Sequence, residues 1–260
     1  MLLRRITKHV KDQNWLAVGI DFVIVVIGVF VGLQVNTWNE RQSTNHLSAE
    51  FSERLIADLR EEAWNFQLMV EYYDDVLTHA YKALAILEGE QEASDEALLI
   101  SAYRATQYQE VYRRRATYDE LTSTGTMSLI RDQELRTSAV RIYSVPIFAN
   151  LTSEGMNSRY RVAFRMALPL NVQNALTEHC GDKIILIGDF ESIVNMLDYE
   201  CKTELAPEVL AEAASTLRSH DMLIALLRLR TLNIESDLSA LLTSNTEVRA
   251  GFETFFEGSP

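Results

Sequence analysis

Proline and glycine are scarce, with four and ten among 260 residues. Glycine supplies left-handed turns and proline fixed kinks, so their shortage leaves long stretches with nothing to interrupt a helix. It also argues against a Gly-rich loop able to cradle phosphate, and no G-x-S-x-G, P-loop, HExxH or Rossmann glycine pattern occurs. The five histidines, His9, His46, His79, His179 and His220, are scattered along the chain. Glu61 with Glu62, and Asp74 with Asp75, are adjacent carboxylates, which diverge on a helix and read as solvated surface. No catalytic residue, cofactor site or metal site is therefore expected, and no motif names a reaction.

There is one long hydrophobic run, WLAVGIDFVIVVIGVFVGLQVNTW from Trp15 to Trp38, with Asp21 as its only charge. About 20 apolar residues suffice to carry a helix across a hydrocarbon core of about 30 Å. Trp15 and Trp38 sit where interfacial aromatics belong. Arg4, Arg5, Lys8 and Lys11 precede the run, whereas the stretch after it offers Arg41 against Glu40 and Glu50. The N-terminal basic residues place residues 1–14 in the cytoplasm, make 15–38 the transmembrane helix, and send 39–250 across the membrane. A cleaved signal peptide is disfavoured, because the run is too long for an h-region and Gln34–Trp38 offers no small-x-small site.

Counting by threes and fours, Asp21, Val25, Gly28 and Gly32 share one face of this helix. Gly28 and Gly32 have the GxxxG spacing that lets two backbones approach, and an intramembrane carboxylate seeks a polar partner. The expectation is association in the bilayer, with a second copy or with another membrane protein. The expected role is a single-pass scaffold or adaptor. A sensor input domain is a weaker variant, because residues 1–14 leave no room for a cytoplasmic output module.

Net charge is −13, and the first 40 residues carry a balance of +1, so the remainder carries −14. Such acidity repels nucleic acid and anionic head groups and keeps a helical surface soluble. Cys180 and Cys201 both lie beyond the anchor. In an oxidising compartment they are expected to pair, closing a loop worth about 3 kcal/mol. A metal site from His179, Cys180, Glu200 and Cys201 matches no structural zinc spacing. An enzyme site in this segment would need His179, Asp182, Asp189 and Glu200 to converge.

Past the anchor, Leu47, Phe51, Leu55 and Leu59, then Phe66, Val70, Tyr73, Leu77, Ala80 and Leu84, recur at helical steps up to Gly89. A second helix carries Ala97 to Tyr103. After Arg113–Arg115, Thr117 and Glu120 are spaced as a capping box, Gly125 is placed to end that turn, and Asp132 to cap the next helix. Pro146 and Pro169 interrupt the following segments, and periodicity fades from 171 to 204, where Lys183–Ile187 reads as a strand or a buried loop. Pro207 opens a final helix reaching Thr243, followed by an aromatic tail, 251–260, that either docks or presents a partner motif.

The basic start, the segment NWLAVGIDFVIVVIGVFVGLQVNTWNE and the later ATYDELTSTGTMSLIRDQELR resemble a family of N-terminally anchored bacterial membrane proteins with no assigned activity. The resemblance implies a bacterial inner-membrane protein with a periplasmic domain, and transfers no catalytic residue. In layout, an intramembrane Asp ahead of an extracytoplasmic domain is also similar to the proton-using subunits of flagellar stators, which makes Asp21 a candidate proton carrier. The expected fold is mostly α, one transmembrane helix followed by an antiparallel bundle of four long helices.

Overall fold

The computed structural model describes residues 15–243 and 246–256; within these, the side chains of 15–18, 21, 253, 254 and 256 are outside the description. The chain divides into two units, one reaching Glu53 and including Ser128–Arg131, the other comprising Arg54–Met127 and Asp132 onward. No strand occurs among the described residues.

Helix α1 (Trp15–Leu87) runs for 73 residues, because neither proline nor glycine interrupts 33–88. In the first unit, every described side chain from Phe22 to Leu47 is exposed, including Phe22, Ile27, Phe30 and Leu33. This helix is long and apolar enough to cross a membrane. Farther along, Ser48 donates through Oγ to the Leu129 carbonyl at 2.6 Å, tying in the short 3-10 turn Met127–Leu129.

In the second unit the same helix changes character, with Leu55, Leu59, Met69, Tyr73, Val76 and Ala80 buried at helical spacing. Gly89, at φ +78°, ends it, with the Glu90 N–H bonded back to Ala85. Helix α2 (Asp95–Arg104) starts at Ser94, whose side chain accepts from the Ala97 N–H. Then come α3 (Ala116–Ser123), α4 (Gln133–Ser144), α5 (Ala149–Met156), α6 (Arg159–Ala167) and α7 (Leu170–Cys180). A long connection with one 3-10 turn leads to α8 (Pro207–Arg218), α9 (Asp221–Thr243) and α10 (Thr246–Phe256). Helix α2 packs on α7 and α8, α9 packs on α5, α6 and α8, and α10 packs on α4. Leu98, Tyr160, Phe164, Leu176, Leu217 and Leu227 centre a core shared by α2, α6, α7, α8 and α9 with the end of α1.

The helical class is as expected, and the lengths are not: where four long helices are expected, only α1 and α9 among the described residues exceed 20 residues. The expected final helix is two, because the His220 ring accepts the Leu223 N–H and caps a new start where apolar periodicity alone continues. The capping box at Thr117 is not formed. Helix α3 begins two residues earlier, with Arg115 at the N-cap, the Thr117 N–H goes to Asp58 of α1, and Glu120 pairs with Arg54. Asp132, Gly125 and Pro207 occupy the cap and turn positions read from the sequence. Residues 170–180, in the stretch expected to be irregular, are helical, while Lys183–Ile187 is neither strand nor buried, with Ile184 99% exposed. The stretch read as a tail is helical through Phe256, and Phe252 is buried against Phe66 with ring centroids 4.9 Å apart.

Candidate functional site

Three arginines set the path of the chain between α2 and α3. Arg230 of α9, 2% exposed, donates to the Ala105 and Gln107 carbonyls and faces Glu154 of α5 at 3.0 Å. Those contacts turn the chain out of α2. At the other end Arg113 donates to Glu62 of α1 at 2.8 Å and to the Ile142 and Val145 carbonyls that finish α4. The Arg114 N–H bonds the second Glu62 oxygen at 2.6 Å. Gly155 admits the chain at the start, since a Cβ there lies 2.3 Å from Tyr108 Cβ. Residues 107–115 are thus held at both ends in a non-helical path.

Glu62 is therefore not solvated surface as its pairing with Glu61 suggests; it is fully buried. Burial pushes its carboxyl above the ordinary carboxylate value, and the Arg113 charge and hydrogen bonds pull it back part of the way. Arg114 and Arg115 pair with Glu61 and Asp119. The basic run is internally neutralised.

Beside this segment lies a groove of about 570 Å³. Trp64, Asn65 and Leu68 of α1 contribute to its lining, as do Val111 and Tyr112 on one side and Ile184, Ile187 and Met196 on the other. The 182–196 connection is tied down at three points: Trp64 Nε1 donates to the Asp189 carbonyl, Gln109 Nε2 to Asp182, and the Lys183 N–H to the Met196 carbonyl. Tyr112 is 80% exposed. Asn65 is 5% exposed and its Nδ2 has no hydrogen-bond partner.

A second polar centre holds the other end of that connection. Arg104, at the end of α2, donates to the Tyr199 carbonyl at 2.7 Å and to the Cys180 carbonyl, and lies over the Tyr199 ring. Cys180 and Cys201 are disulfide-bonded with Cα atoms 5.4 Å apart. Arg104 Nη1 donates to His79 Nε2 at 3.2 Å, which leaves the imidazole proton on a buried, unpartnered Nδ1. Burial, then the Arg104 charge, lowers His79 to about 4. Neighbouring Asp75 is raised to about 6 by burial and by Asp198.

The residues singled out around the cysteines have separate partners. Asp182 accepts from Tyr72 at 2.9 Å, Asp189 accepts from Ser192 at 2.6 Å, and the His179 carbonyl accepts from Tyr199. Among the described residues no three His, Cys, Asp or Glu side chains are grouped to hold a metal ion. In the apolar N-terminal part of α1, Val25 is exposed, and a Cβ on Gly28 or Gly32 meets nothing within 4 Å. Asp21 lies within α1 with its side chain outside the described residues. The groove escaped sequence reading because one wall lies 41–53 and the other 114–135 positions from its floor and they share no local pattern; the one signal was Lys183–Ile187, an apolar run without helical spacing. No family model, curated protein or solved structure matches the chain.

Proposed function

We propose that this chain is a single-pass bacterial inner-membrane scaffold or adaptor whose acidic periplasmic helical domain serves protein–protein association. The observation that carries the reading is the run Phe22–Val35, in which every described side chain faces outward although nearly all are apolar. A glycine inside a helix costs about 1 kcal/mol relative to alanine, and in this run Gly28 and Gly32 meet no neighbour that requires them. Lipid accounts for the apolar surface, and a partner helix at close approach accounts for the glycines. The Cys180–Cys201 disulfide supports an oxidising compartment for the domain, which agrees with a cytoplasmic basic N-terminus. The family that the two sequence segments resemble points the same way.

The test is the native mass of the full chain in mild detergent at micromolar concentration, for wild type and Gly28→Ile. Association through the anchor predicts a wild-type mass above the 29.6 kDa monomer that falls in the variant. Monomeric wild-type protein, unchanged by the substitution, sinks the oligomer.

A further inference from the structure

The groove beside residues 107–115 has a feature that packing alone leaves unanswered. Among the described residues, no hydrogen bond involves the main-chain groups of Glu110, Val111 or Tyr112. The residues before and after them are anchored by Arg230 and by Glu62 with Arg113, so this is a short stretch of bare backbone held in place by its ends. Buried backbone normally finds partners, and an exposed unpaired stretch is a template for another chain. On the groove floor the Asn65 amide is equally idle: its Nδ2 has no partner, and its Oδ1 takes part in none of the described hydrogen bonds. A primary amide both donates and accepts, as a peptide unit does.

We propose that this groove binds an extended, apolar peptide segment of a partner protein, laid beside Glu110–Tyr112 as an added strand. The proposal rests on the association reading and gives it a site in the folded domain. Strand addition draws affinity from main-chain hydrogen bonds and specificity from alternate side chains in pockets. Glu110–Tyr112 supply the main-chain groups, and the Asn65 amide pairs with a peptide unit on the opposite side. Trp64, Leu68, Val111, Ile184 and Ile187 supply the apolar contacts.

The occupant's chemistry follows from what the groove offers. An acyl chain has no alternating donors and acceptors to meet the bare backbone and the free amide. Most of the lining charges are already engaged, Glu61 with Arg114 at 2.8 Å, Arg113 with Glu62 at 2.8 Å, Asp182 accepting from Tyr72 and Gln109, and Lys183 over the Tyr199 ring, which leaves the exposed Glu110 and little to hold a strongly charged ligand. The exposed Ile184, Ile187 and Tyr112 at the rim are the large apolar groups that an uncharged, apolar segment would cover.

The experiment selects a random peptide library of about 12 residues against the full chain in uncharged detergent and titrates the most enriched peptide, fluorescently labelled, by anisotropy. Enriched peptides are expected to be uncharged, with apolar residues at alternate positions. Tyr112→Pro deletes one backbone N–H at an exposed, non-helical position and is expected to weaken binding at least tenfold, whereas Tyr112→Thr, which keeps the N–H, stays within about threefold. Asn65→Leu is expected to weaken binding tenfold while leaving the unfolding midpoint unchanged or raised, since it breaks no internal hydrogen bond; a structural asparagine would lower that midpoint. The proposal is overturned if no peptide enriches, or if the Pro and Thr variants bind equally. It is equally overturned if the wild type self-associates in a manner abolished by Ile184→Asp, because the occupant is then a second copy. Failure here with a normal response to Gly28→Ile leaves the membrane association standing. Peptide binding that follows the variant series in a protein indifferent to Gly28→Ile leaves only the groove.

Discussion

Two stretches of α1 are similarly rich in apolar residues and put them to opposite uses. From Phe22 to Val35 each described side chain is exposed, with Phe22 at 69% and Val26 at 49%. From Leu55 to Ile86 the apolar residues are largely withdrawn, and Leu59, Met69, Tyr73 and Val76 are fully covered. Helical propensity does not separate them, since both are helix. What separates them is pattern: the first is apolar all round, as lipid-facing helices are, and the second is punctuated by Arg60, Glu61, Glu71, Asp74 and Lys82. One stretch buries its apolar surface within the chain, and the other leaves it to something outside the chain.

The largest effect that sharpens this contrast comes from the buried ion pair of the second stretch. Glu62→Ala leaves the Arg113 guanidinium and the Arg114 N–H without their acceptor in a dry site, and is expected to cost about 3–5 kcal/mol in denaturant unfolding of the detergent-solubilised protein. Slightly smaller is the loss of a core side chain. Leu59→Ala should destabilise by about 2–5 kcal/mol, whereas Ile27→Ala, the same kind of truncation in the exposed stretch, should leave the unfolding midpoint where it was. Equal losses at the two sites would erase the distinction.

A subtler effect lies in pH. His79 is held at about 4 against an ordinary 6.5, so between those values the unfolded chain binds a proton that the folded chain refuses. The stability linked to neutral His79 is complete above pH 6.5 and is lost as pH falls toward 4. Asp75, raised from 3.8 to about 6, acts in the opposite sense: folding is favoured by its protonation and loses that contribution as pH rises through the same window. The two slopes oppose each other between about pH 4 and 6. His79→Gln removes one of them, so its midpoint should rise relative to wild type as pH is lowered from 7 to 4. A constant offset across that range would show that His79 titrates as an exposed imidazole.

Local chemistry was legible in the sequence and distant pairing was not. The long apolar N-terminal helix, the Asp132 cap, the proline start at Pro207 and the glycine stops at Gly89 and Gly125 each depend on a few neighbouring residues. Glu62 read as surface because its partner lies 51 positions away, beyond any helical period. The break at His220 was hidden by apolar spacing that continues through it, and the groove exists only once α1, the 107–115 segment and the 182–196 connection are brought together. Asn65 carries no sequence signal, because its idleness is a property of its surroundings.

The smallest expected change to the fold is also the most direct probe of the central claim. Gly28→Ile adds a side chain where nothing lies within 4 Å, so the folded domain of the full chain should unfold as before. Native mass determination of full-length wild type and Gly28→Ile, extracted from membranes in mild detergent, reads association alone. The account predicts that the wild type runs in a complex and that the variant sheds mass with its unfolding midpoint unchanged. A wild type at the 29.6 kDa of a single chain, indistinguishable from the variant, would contradict it.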